Sequence, residues 1–133
     1  MLILCSSQAE PQSNAGKIPQ LLKDIEAKYT SIKDWGVVGF CWGGKIVSLI
    51  SKGDTGNIKA AAECHPAFID AADAKDIKIP ICILASKDED KDDVIAFEKA
   101  LTGEKYVETF GDQIHGVSSS YILGFFGLGC AGR

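Results

Sequence analysis

Trp35 to Lys45, reading W-G-V-V-G-F-C-W-G-G-K, decides how the rest of the chain is read. The β-branched pair Val37 and Val38 leads into glycines around a single cysteine, and Lys45, Ile46, Val47, Leu49 and Ile50 continue at once in a helical pattern. This predicts a strand, a tight turn and a helix. Gly39, Cys41 and Gly43 fit the G-x-nucleophile-x-G elbow, in which a strained turn lifts the nucleophile above the C-terminal edge of a sheet. Glycine is expected two residues to either side because a Cβ there would strike the neighbouring strand or helix, and Gly44 gives the helix room to start close in. At a helix N-terminus, partial positive charge favours a thiolate at Cys41 and oriented N–H groups favour an oxyanion.

Two other readings use the same residues. Gly39 to Lys45 also satisfies G-x-x-x-x-G-K, the phosphate-cradling loop. There the next residue is Ser or Thr, which holds magnesium; here it is Ile46, and a branched aliphatic cannot coordinate a hard cation. The third reading is a glycine-rich turn whose cysteine only packs, free cysteine being among the most buried residue types.

Bulk properties bound the class. With 133 residues, 46% of them hydrophobic and 24% charged, the chain reads as one globular domain, residues 1–133. A formal net charge of −4 gives no electrostatic footprint for nucleic acid or an anionic membrane, leaving small neutral or modestly anionic ligands. Five cysteines (Cys5, Cys41, Cys64, Cys82, Cys130), odd in number and without a C-x-x-C pair, suit reduced thiols and a cytoplasmic location. Met1 to Cys5 is too short for the apolar segment of a signal peptide. The apolar tail after Ile122 is too short and glycine-rich to span a membrane as a helix.

Outward from the elbow, Ser6 to Gly16 reads as a solvated linker. Ile18, Leu21, Leu22, Ile25 and Tyr29 then recur at helical spacing opposite Lys23, Asp24, Glu26 and Lys28, which predicts an amphipathic helix lying on a sheet. Ile58 to Cys64 is a short strand stopped at His65-Pro66, since proline offers no N–H to the ladder. Cys64 and His65 do not make a metal site, because adjacent strand residues point to opposite faces and no second pair is at hand. Ala67 to Lys78 is a connection with a helical turn near Asp73 to Asp76. Ile79 to Ala85 is nearly all apolar, as in a parallel strand covered on both faces.

That strand gives way to S-K-D-E-D-K-D-D. Asp88, Asp90 and Asp92 imitate the opening of a calcium loop, yet Asp93 stands where its glycine belongs and Lys99 where its closing glutamate belongs. Acids on the first turn of a helix explain Asp92 and Asp93. They explain Asp88 less well, since it lies at the end of a buried strand. A helix from Asp92 to Leu101, a strand from Tyr106 to Phe110 and a loop presenting His115 complete the pattern. Strands alternating with helices predict a mainly parallel α/β sheet of about four strands with helices on both faces. Catalytic groups gather at the C-terminal ends of such strands, where Cys41, Asp88 and His115 each fall. Their order is nucleophile, acid, histidine, as in the α/β-hydrolases. The histidine would take the thiol proton, the carboxylate would fix its tautomer, and the thiolate would attack a carbonyl.

G-F-C-W-G-G-K, H-P at His65, S-K-D-E-D and D-Q-I-H-G together resemble the dienelactone hydrolase family, a cysteine branch of the α/β-hydrolases, over roughly Lys17 to Gly116. The resemblance implies a catalytic triad of Cys41, Asp88 and His115, with Asp90 as reserve acid. It implies hydrolysis of an ester or lactone of a small carbonyl compound, with no metal or organic cofactor. The elbow itself supplies one oxyanion donor, the backbone N–H of Trp42. Full family members carry several strands before the elbow, where this chain has about 34 residues. The domain is therefore expected to be truncated at its N-terminus and atypical over residues 117–133. The second oxyanion donor and a cysteine-modulating glutamate would be missing, and an open apolar edge beside Trp35 to Phe40 would invite self-association. The sequence thus supports a small cysteine hydrolase or a non-catalytic remnant of one, with redox chemistry at Cys41 as a lesser third role.

Overall fold

The computed structural model describes residues 10–116; Met1 to Cys5 and the tail 117–133 lie outside them. Its elements are α1 (Pro11–Ala15), α2 (Ile18–Lys28), β1 (Trp35–Phe40), α3 (Trp42–Ile50), β2 (Ile58–Cys64), α4 (Ala71–Ala74), β3 (Ile81–Ser86), α5 (Lys91–Ala100) and β4 (Lys105–Phe110). The four strands form one all-parallel sheet in the order β1-β2-β3-β4.

Two local readings need correction. Part of the expected linker is helical: Pro11 occupies the first helical position, where its missing N–H costs nothing, and the Glu10 carboxylate accepts the Ser13 N–H at 2.9 Å. The expected helix from Lys17 forms as α2, but its apolar stripe does not lie on the described sheet. None of its residues is buried, and Leu21 and Tyr29 are about half exposed. What ties α2 down is polar: Glu26 accepts from the Trp35 indole at 2.7 Å and from the Asn57 amide at 3.0 Å.

The core is built of Val47, Ala61, Ala74, Ile77, Ile81, Ile83, Phe97 and Leu101, with Val37 and Val107 against it. These residues place α3, α4 and α5 on one face of the sheet. The expectation of helices on both faces therefore holds on one face only for the crossovers. With a sequential strand order, right-handed connections all fall on the same side. The opposite face carries Val38 and Tyr106, both more than half exposed. Among the described residues β1 is an outer strand of the sheet.

The elbow depends on close backbone approach. A Cβ on Gly39 would lie 2.2 Å from the Gly43 carbonyl oxygen, and one on Gly44 would lie 2.8 Å from the Pro66 side chain. A Cβ on Gly43 would meet nothing. Glycine is thus required at 39 and 44, and Gly43 contributes its backbone rather than its lack of a side chain. Gly39→Ala is expected to lower the unfolding free energy by about 1–3 kcal/mol or to prevent folding, whereas Gly43→Ala should change it by less than about 1 kcal/mol. Urea unfolding followed by circular dichroism checks the pair, and equal losses would contradict the geometry.

Candidate active site

Cys41 joins β1 to α3 with φ 52° and ψ −118°, a left-handed backbone that a non-glycine residue keeps only when its surroundings enforce it. Three hydrogen bonds do so. The Cys41 N–H donates to the Cys64 carbonyl at 3.1 Å, and the Cys41 carbonyl accepts from Gly44 N–H at 3.0 Å and Ala67 N–H at 2.9 Å. The first prolongs the β1–β2 ladder, in which Phe40 faces Cys64, by one bond beyond the strand. The side chain is left half-buried above the sheet edge, with Trp42 opening α3 behind it.

His115 reaches Cys41 from the loop after β4, close enough for the Cys41 side chain to perturb its imidazole. That contact, first, and the Glu89 carboxylate, second, raise the His115 pKa above its usual value against the opposing effect of burial. The ring is held on its other side by Glu89, whose Oε1 lies 2.6 Å from Nδ1.

Asp88 is in the same place but does something else: its Oδ2 accepts the backbone N–H of His115 at 2.8 Å. The structure places Cys41, Asp88 and His115 near one another, with Glu89 rather than Asp88 on the ring. Asp90, the reserve acid, caps α5 by accepting from Asp92 and Asp93 N–H at 2.8 and 3.1 Å. Its carboxylate is committed to the helix. The spacing Ser86-x-x-Glu89 was the available signal for Glu89, because a glutamate three residues after a serine can reach back to that serine's N–H.

His65 was set aside at the sequence level and belongs here. Its ring is buried, meets the His115 ring edge-on with centroids 4.8 Å apart, and leaves both nitrogens without a hydrogen-bond partner among the described residues. Burial first, and the neighbouring His115 second, lower its pKa. Its φ of 39°, directly before Pro66, shows the strain of that placement.

The other readings of the elbow meet physical obstacles. Lys45, the lysine of the phosphate-loop pattern, is bound to Asp73 at 2.5 Å, and Lys52 joins them at 2.9 Å. Burial opposes ionisation of Asp73, yet these two lysines hold its pKa below the ordinary value. The His/Cys/Asp/Glu side chains among the described residues include no group of three set to hold a metal. No helix among them is long and apolar enough to cross a membrane. The pair lies between two hollows. An apolar groove of about 540 Å³ is walled by Val38, Phe40, Trp42 and Ile46, and an open cleft of about 280 Å³ beside His115 is walled by Phe68, Ile69 and Asp93.

The family model of the dienelactone hydrolase family matches residues 9–118. Two uncharacterized AIM2 family proteins of Schizosaccharomyces pombe are similar to the chain. One is 36% identical over 75% of this chain and 42% of its own length, the other 34% identical over 84% and 46%. The chain thus spans less than half the length of these relatives. A dienelactone hydrolase-like promiscuous phosphotriesterase from metagenomic libraries aligns in structure over 70% of this chain and 51% of its own, with a TM-score of 0.37 and 12% identity.

Beneath the elbow, Glu63 is fully buried and accepts the Ser48 hydroxyl at 2.6 Å. Burial lifts its pKa from 4.5 to about 7, with Asp73 adding to the rise and Ser48 and Lys45 opposing it. The folded chain therefore holds a proton that the unfolded chain releases, and stability falls as pH rises from about 4.5 to about 7. Glu63→Gln is expected to remove that slope, stabilising the protein above pH 7 by up to about 3 kcal/mol and hardly at all near pH 4.5. Urea midpoints at the two pH values read the difference, and an offset independent of pH would refute it.

Proposed function

The chain belongs to the dienelactone hydrolase family, and from that membership and its site geometry we propose that it hydrolyses ester or lactone bonds of small carbonyl compounds, with Cys41 as nucleophile and His115 as base. The observation that carries the reading is the convergence of Cys41, on a strained elbow, with the His115 imidazole, which the last described loop delivers and Glu89 holds through Nδ1.

In this reading His115 takes the Cys41 proton and the sulfur attacks the acyl carbon. The carbonyl electrons move onto oxygen, where the Trp42 backbone N–H at the start of α3 donates to the oxyanion. Collapse breaks the acyl C–O bond, and the imidazolium returns its proton to the departing alkoxide. Water, deprotonated by His115, then cleaves the thioester, releasing the acid and restoring the thiol. A carboxylate of the loop from Ser86 to Asp90 holds the imidazole for both halves. The cleft beside His115 and the groove beside Cys41 offer room for the two sides of a small substrate.

The second reading is a non-catalytic remnant that associates through β1. The exposed Val38 on an outer strand favours it, since such an edge takes up further strands. Hydrolysis of p-nitrophenyl acetate and of a simple aryl lactone separates the two. Cys41→Ala and His115→Ala are each expected to lower kcat by at least about 10²-fold, with the parent eluting as a defined species on size exclusion. Equal turnover by parent and Cys41→Ala would leave the remnant.

A further inference from the structure

The loop after β3 offers His115 two carboxylates, and their surroundings differ. Asp88 is exposed and its Oδ2 bonds the His115 backbone. Glu89 has a side chain only 4% exposed, and Oε1 lies 2.6 Å from Nδ1 of the His115 ring. Ser86 fixes that carboxylate from below, its hydroxyl 3.1 Å from Oε1 and its backbone N–H bonded to Oε2. Two donors from one residue leave Glu89 a single orientation, with an Oε1 lone pair directed at the ring.

We propose that Glu89 is the carboxylate that orients the His115 ring and holds its Nδ1–H tautomer, while Asp88 is a loop clamp that acts only through the His115 backbone. The assignment rests on the reading of Cys41 and His115 as nucleophile and base. Its physical grounds are separate. Choosing a tautomer requires an acceptor on a ring nitrogen, and a bond to the main chain cannot discriminate one from the other. A carboxylate out of water also interacts more strongly with the imidazolium than an exposed one does. With Nδ1 occupied by Glu89, Nε2 is left for the thiol.

The chain has two histidines, so the His115 ring can be titrated by ¹⁵N NMR in the full-length protein and assigned with the His115→Ala variant. Glu89→Gln is expected to lower the His115 midpoint by about one pH unit or more and to shift the Nδ1–H tautomer signature. Asp88→Asn should move the midpoint by less than about 0.3 units, because no charge facing the ring is removed. In p-nitrophenyl acetate hydrolysis Glu89→Gln should reduce kcat by about 10²–10⁴-fold with KM little changed, and Asp88→Asn by less than about tenfold. Should Glu89→Gln fail to fold, Glu89→Asp serves instead, since it draws the carboxylate back from Nδ1 by one methylene and leaves Asp88 intact. A His115 midpoint moved by Asp88→Asn and not by Glu89→Gln, or moved equally by both, would overturn the assignment. The NMR arm reads the result even in a chain with no turnover, so failure here and failure of the hydrolase reading are told apart.

Discussion

The site depends on a backbone clamp rather than on any side chain. Cys41 is held at positive φ because β2 takes its N–H through Cys64 and the turn after β2 takes its carbonyl through Ala67. The three non-glycine residues with positive φ among the described ones are Cys41, His65 and Phe68. All three lie in this elbow or in the return loop that grips it. Left-handed backbone of this kind costs about 1–3 kcal/mol per residue. The cost is concentrated where the Cys41 side chain stands clear of the sheet. Gly39 and Gly44 let the partners close to bonding distance, which explains why the glycines and the cysteine form one unit.

His115 is delivered by a second pair of loops that depend on each other. β3 and β4 run in register from Ile81 and Lys105 to Ser86 and Phe110, so the segments that follow them leave the sheet side by side. Lys87 N–H donates to the Gln113 carbonyl at 3.0 Å, Asp88 takes the His115 N–H, and Glu89 takes its ring. Register thus becomes placement: a one-residue slip of β4 would turn its side chains to the other face and carry His115 away from Cys41. His65, wedged edge-on against His115, closes the remaining side. A buried imidazole with two unpaired nitrogens is an expensive wedge, which marks this position as part of the site.

The sequence revealed most of this through strong local signals. β1 and β2 form over the residues predicted, and β3, α5 and β4 lie within two residues of prediction, because each is bounded by proline, glycine or a capping acid. The elbow was legible from G-F-C-W-G-G, and the meeting of Cys41 with His115 from strand ends and chain order. What stayed hidden needed three dimensions. The five acids from Asp88 to Asp93 are chemically alike on paper, and only the Ser86 anchor turns Glu89 inward. Helical periodicity in α2 showed an apolar stripe but not what would cover it. The run Pro11–Ala15 looked like linker because proline and serine mark both loops and helix starts. The sidedness of the crossovers depends on strand order, which periodicity does not carry.

The most direct test of a nucleophilic Cys41 is to trap the acyl-enzyme. Brief exposure of the full chain to p-nitrophenyl acetate at neutral pH, acid quench and peptide mapping by mass spectrometry would locate the acyl group among the five cysteines. One acetyl group on Cys41, formed in the parent and absent in His115→Ala, is the predicted result. Acylation spread equally over Cys41, Cys64 and Cys82, or unaffected by loss of His115, would contradict it.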